Sequence, residues 1–91
     1  MKIRKFAAID VGSNAIRLLI SNILEIENEN PIFRKNALIR VPVRLGADVF
    51  SDGQISEANQ KRMLDSMKAF KLLMRVHGVE KSIACATSAM R

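Results

Sequence analysis

A single carboxylate, Asp10, stands near the end of the short apolar run FAAIDV, and Gly12-Ser13-Asn14 follows at once. A tight glycine-bearing turn can aim backbone N–H groups and a short hydroxyl at one point, which suits a phosphate oxygen. A carboxylate two residues ahead of such a turn would repel phosphate unless a divalent cation lay between them. Asp10 with this turn therefore points to magnesium, held partly through water. The same residues also have a plainer use. Asp, Ser and Asn side chains can satisfy the backbone of an ordinary hairpin turn, and Gly and Asn tolerate positive φ. Spacing alone leaves both readings open.

The other residues with chemical potential are fewer. Arg40 and Arg44 either extend a phosphate-binding channel or form solvated surface at a strand end. Cys85 lies in an apolar stretch with no base beside it in sequence, and reads as buried and inert. It is the single cysteine, so no internal disulfide forms, and His77 is the single histidine, so no Cys/His zinc cluster exists. His77 falls where a helix should end and reads as a cap or core residue.

Elements that can position these groups follow from periodicity. Phe6 to Val11 is a short strand ending in the turn, and Ala15 to Leu24 is a second strand, antiparallel to it. EIENEN and Pro31 break the apolar run. A third strand covers Ile32 to Val43, with Asn36 marking a bulge and Pro42 near its end. Arg44 to Ile55 is a loop by composition, with Gly46 and Asp52-Gly53 as turn signals. The period then changes. Ser56 is a good N-cap, Glu57 suits the first turn, and Gly78 is a good stop. Between them Met63, Met67, Phe70, Met74 and His77 line one helical face, and the methionines read as core packing. Ser82 to Ala86 reads as a fourth strand, buried on both faces and parallel to an earlier strand through a right-handed crossover. Thr87-Ser88-Ala89 opens a loop or a helix start. The class is α/β.

A length of 91 residues holds one small domain or part of one, and its stability should be thin. The formal charge of +6 favours anionic partners, although the basic residues are scattered and most suit solvated surface. Four Phe with no Trp or Tyr offer no stacking platform, so nucleic acid is a weak expectation. No apolar run approaches the roughly 20 residues that cross a bilayer, so no membrane partner is expected. Asp10 interrupts the N-terminal apolar stretch before a signal-peptide core forms. The expectation is a cytoplasmic protein with a native N-terminus; the lone cysteine agrees with a reducing compartment.

AIDVGSNAIRLLI resembles the first phosphate motif of the actin-like, sugar kinase and heat-shock ATPase superfamily. Its Gly-Ser-Asn form, followed by Arg17, resembles more narrowly the exopolyphosphatase and guanosine pentaphosphate phosphohydrolase (Ppx/GppA) family. RVPVRLGADVFSDGQIS, residues 40 to 56, is similar to that family's loop between third strand and first helix. ACATSAMR, residues 84 to 91, is similar to its strand and loop after that helix. The resemblance implies a ribonuclease-H-like half-domain with sheet order 3-2-1-4-5. Residues 1–91 would be the N-terminal part of the first domain, incomplete by its fifth strand and second phosphate motif. The water-activating glutamate would also lie outside them, since Glu57 and Glu80 match no catalytic position of the family.

Carried over residue by residue, Asp10 would help place magnesium, and Gly12, Ser13 and Asn14 would line the phosphate turn. Arg17 would lie near the substrate's phosphates, although strand alternation could equally send it to solvent. Arg91 would lie near the cleft. The implied activity is release of orthophosphate from polyphosphate or guanosine pentaphosphate, with this stretch inactive by itself. Two rival expectations stand beside it. One is a non-catalytic assembly module, a homodimer formed through an open edge at the fourth strand. The weaker is a nucleic-acid-binding module.

Overall fold

The computed structural model describes residues 1–44 and 53–86. Its elements are β1 (Lys2–Val11), β2 (Ala15–Glu25), β3 (Ile32–Pro42), α1 (Glu57–His77) and β4 (Lys81–Ala86). They form one four-stranded sheet in the order β3-β2-β1-β4, antiparallel except for the parallel pair β1 and β4. This is the α/β arrangement and strand order that the resemblance implies for its first four strands.

Alternation decides which face of the sheet is covered. Ala7, Ile9 and Val11 of β1 stand opposite Ile20, Leu18 and Ile16 of β2, and all six are buried. Ala37, Ile39 and Val41 of β3 continue these rows and are partly buried. Phe70 of α1, 1% exposed, closes over them with Val43. Met63, Met67 and Met74 pack against the same cluster, so the methionine face of the helix is core, as expected.

The helix ends follow their caps. The Ser56 hydroxyl accepts from the Asn59 N–H at 3.2 Å. Gly78, at φ 73, takes the left-handed conformation that a glycine adopts without penalty. Its N–H donates to the Arg75 carbonyl, and the Val79 N–H donates to the Met74 carbonyl. His77 is the last helical residue and is half-buried. The bulge falls at Asn36, where the register steps from Ile20 opposite Ala37 to Ser21 opposite Lys35.

Three expectations need correction. The first strand begins at Lys2 rather than Phe6. Its polar start is held by Arg4, which reaches Glu80 at 3.1 Å and Glu25 at 3.6 Å and lies 5.1 Å from the Phe6 ring centre. The fourth strand is exposed at all six residues rather than buried on both faces. It is a sheet edge beyond the reach of α1, which packs over β2. Cys85 is accordingly exposed, not buried. The loop expected over residues 44–55 falls largely outside the described residues, as does the segment after Ala86.

Phe70→Ala should lower the free energy of unfolding by roughly 3–5 kcal/mol, the usual cost of deleting a buried aromatic ring. Leu64→Ala, on the exposed side of the same helix, should change it by less than about 0.5 kcal/mol. Equal effects of the two in urea denaturation would show that α1 does not pack as described.

Candidate functional site

The register that buries Ile9 with Leu18 and Val11 with Ile16 fixes the position of Asp10. It stands directly opposite Arg17, on the sheet face away from α1. The Arg17 guanidinium Nη1 donates to Asp10 Oδ2 at 3.4 Å, with both side chains a little under half exposed. On the same cross-sheet row lie Arg40 of β3, opposite Arg17, and Cys85 of β4, in register with Asp10. The structure thus brings Asp10 and Arg17 together, and strand alternation does send Arg17 outward, toward Asp10 and the open face.

Gly12, Ser13 and Asn14 join β1 to β2. The Gly12 N–H donates back to the Ala15 carbonyl at 2.9 Å, closing the hairpin. The Asn14 carbonyl accepts two N–H groups from the end of β3, Val43 at 3.0 Å and Arg44 at 3.2 Å. This anchors the turn to a third strand. Arg44, one of the two channel candidates, takes part through its backbone, with φ at 56. The end of β3 is itself fixed by α1, because Arg62 Nε donates to the Pro42 carbonyl at 2.7 Å.

The Ser13 and Asn14 N–H groups take part in no backbone hydrogen bond among the described residues. Nor do the side chains of Asp10, Ser13 or Asn14 satisfy the turn's own backbone there; Asp10 is occupied by Arg17. The hairpin is closed by its own backbone, through Gly12 and Ala15, and not by these side chains. One part of the sequence reading changes: positive φ among the described residues falls at Asn28, Arg44, Gly53 and Gly78, not at Gly12 or Asn14. Arg91 lies outside the described residues.

A short turn with available N–H donors, a carboxylate and a guanidinium beside it can bind an oxyanion and a hard cation together. No group of three or more His, Cys, Asp or Glu side chains among the described residues gathers as a metal cage. A cation here would rest on Asp10, water and the anion itself. That donor set suits magnesium, which is held through one or two carboxylates plus substrate phosphates. The Arg17–Arg40 opposition, the backbone tie to Asn14 and the Arg62 latch were not read from the sequence. Counting outward from the hairpin turn would have found the Asp10–Arg17 pair; the others depend on pairings with β3 and α1 that spacing does not give.

No family model matches the chain. A crystal structure of the Ppx/GppA family member from Aquifex aeolicus superposes with a TM-score of 0.85 at 28% identity, covering 99% of this chain and 28% of that one. An exopolyphosphatase from Cytophaga hutchinsonii superposes at 0.78 with 33% identity, covering 97% of this chain and 27% of that one. This chain is similar to Ppx/GppA phosphatases over roughly a quarter of their length. A bifunctional 3-dehydroquinate synthase/phosphatase from Fusobacterium nucleatum is 38% identical over 88 residues, 93% of this chain and 13% of that protein. The likeness to Ppx/GppA structures takes in the whole hairpin, its turn and the helix that braces it.

Because both partners are well exposed, the Asp10–Arg17 pair should add little to folding. Asp10→Asn should change the free energy of unfolding by less than about 1 kcal/mol. A loss of several kcal/mol in chemical denaturation would mean that Asp10 is there to hold the hairpin rather than a ligand.

Proposed function

We propose that this chain supplies the phosphate- and magnesium-binding edge of a hydrolase of the Ppx/GppA kind, acting on a phosphoanhydride bond of polyphosphate or guanosine pentaphosphate. The observation that carries this reading is the turn itself. Ser13 and Asn14 keep their backbone donors available, beside Asp10 and Arg17, at the end of β1 on the face away from α1. Such donors are positioned before a ligand arrives and cost little reorganisation when charge develops on the terminal phosphoryl group.

In this reading the Ser13 and Asn14 N–H groups and the Ser13 hydroxyl donate to the terminal phosphoryl oxygens, with Gly12 keeping the turn narrow. Arg17 pairs with a further oxygen. Asp10 would hold magnesium, which when bound supplies charge neutralisation along the phosphates. Arg91 would join the same cleft. The residue that orients the attacking water is assigned to a position outside this chain. Glu25 and Glu80 are engaged by Arg4, and Glu57 sits in the first turn of α1. The positive charge of the chain agrees with a polyanionic substrate. No described helix is long and apolar enough to cross a membrane, and we propose a cytoplasmic setting.

A second reading, assembly of two copies, is favoured by one feature: among the described residues β4 pairs with β1 alone, and it is exposed along its length. An edge of that kind offers unpaired N–H and C=O groups to another strand. Concentration-dependent sedimentation would support it, and a monomer at every concentration would reject it.

Pyrophosphate with magnesium should move the Ser13 and Asn14 amide resonances of the chain, and Asp10→Ala should remove the magnesium dependence of that response. Orthophosphate release by the chain alone should stay at background. Release abolished in Asp10→Ala would overturn the assignment of the water-orienting group. Unmoved Ser13 and Asn14 resonances would overturn the phosphate turn.

A further inference from the structure

Arg40 of β3 stands directly opposite Arg17 of β2, and both side chains are exposed. Directly opposed residues on antiparallel strands share a face, and like charges so placed destabilise the pair. Nothing in the core calls for them. The rows behind, Ile16 with Val41 and Leu18 with Ile39, would pack as well against neutral residues in front. Asp10 balances Arg17 at 3.4 Å. No carboxylate among the described residues pairs with Arg40. Among the described residues the row Arg40–Arg17–Asp10 therefore carries one uncompensated positive charge, on the same face as Asp10 and near the end of the sheet that carries the turn.

The position of Arg40 relative to the turn is also fixed. Two residues further on, the Pro42 carbonyl is held by Arg62, and Val43 and Arg44 are bonded to the Asn14 carbonyl. Arg17 and Arg40 thus stand side by side across the sheet, at the strand spacing of about 4.8 Å. The turn lies at the start of β2, three residues along the chain from Arg17. A chain of phosphoryl groups that starts at the turn, runs along β2 to Arg17 and crosses to β3 would meet each in order. Guanidinium groups suit this work because each can donate two parallel hydrogen bonds to a phosphoryl group.

We propose that Arg40 is a specificity-determining residue: with Arg17 it grips adjacent phosphoryl groups of one ligand, so that the site prefers a chain of phosphates to a single orthophosphate. The inference rests on the reading of Gly12-Ser13-Asn14 as the phosphate turn and adds to it a second anion position, on β3.

The test compares tripolyphosphate with orthophosphate, each titrated with magnesium at fixed ionic strength against the full chain. Calorimetry gives the affinities, and the Ser13 and Asn14 amide resonances report the turn. Tripolyphosphate should bind at least roughly tenfold more tightly than orthophosphate, the scale of one charge-assisted contact. Arg40→Gln should remove most of that preference and leave orthophosphate affinity unchanged. Arg40→Lys should restore part of it. Arg34→Gln removes the same charge from the opposite face, where Arg34 pairs with Asn22, and should leave the preference intact. Equal losses in Arg40→Gln and Arg34→Gln, or an undiminished preference in Arg40→Gln with an unchanged thermal midpoint, would overturn the role of Arg40 alone. If neither anion moves the Ser13 and Asn14 resonances of the unsubstituted chain, the phosphate-turn reading falls and the Arg40 proposal falls with it.

Discussion

The register of β1 against β2 is the constraint from which the candidate site follows. In a strand, side chains alternate, so a slip of one residue would exchange the buried and open faces. Burying Ala7, Ile9 and Val11 against Ile20, Leu18 and Ile16 leaves only one face for Asp10 and Arg17. Their pairing across the hairpin is therefore a by-product of hydrophobic burial on the far side of the sheet. The energy that positions them comes from the core, on the scale of about 1.5–3 kcal/mol for each large apolar side chain buried. Their own ion pair, half-exposed, adds well under that. A carboxylate and a guanidinium held by other residues' energy remain available to exchange partners.

The turn is positioned by a second, polar chain of contacts that begins in the helix. Arg62 fixes the Pro42 carbonyl, and the backbone just beyond Pro42 donates to Asn14. A loop between two strands usually carries the mobility of a sheet end. This one has its last carbonyl engaged by two N–H groups of a third strand, while the donors of Ser13 and Asn14 stay unengaged among the described residues. The acceptor side of the turn is thus used for structure, and the donor side is uncommitted among the described residues; in the proposed reading a phosphate takes it. That division is what a preorganised oxyanion site requires.

Much of this was legible in the sequence, for identifiable reasons. The helix carried both caps and a four-three-four-three apolar spacing, and it ends where Gly78 turns left-handed. Asn36 and Pro42 broke the pattern of the third strand, and the register steps at the first while the strand ends at the second. Asp10 and Gly12-Ser13-Asn14 stood out because a charge and a turn interrupt an apolar run. The covering of β4 was not legible. SIACA is apolar and small whether two layers enclose it or none does, and only the path of α1 over β2 shows that β4, with Cys85, lies at the rim. Positive φ was expected at the hairpin glycine and appears instead at Arg44, where the chain bends to reach Asn14. Arg40 was legible only as a channel candidate or solvated surface, since its opposition to Arg17 depends on the pairing of β3 with β2.

The open face also explains why this row of charges differs from ordinary solvated surface. An antiparallel sheet with one wet face shows polar side chains along the whole of that face. Here the middle of the face is apolar: Phe6, Ala8, Leu19, Leu38 and Ile83 occupy the positions that alternate with the core. Lys35, opposite Ser21, and Lys81, in register with Phe6, are exposed on this face as well, and the ion-paired charges lie toward its two ends. Arg4 with Glu25 and Glu80 marks one end, and Arg40, Arg17 and Asp10 mark the end that carries the turn. The first cluster is closed on itself, two carboxylates around one guanidinium. The second has two guanidiniums for one carboxylate. Beside an apolar stripe the effective dielectric is lower than in open water, so each charge interaction there is stronger and an uncompensated cation is more costly. An anion arriving at that end relieves the Arg17–Arg40 repulsion as well as forming its own contacts. The imbalance that costs the empty sheet stability is in this way the same feature that would draw a polyanion to it.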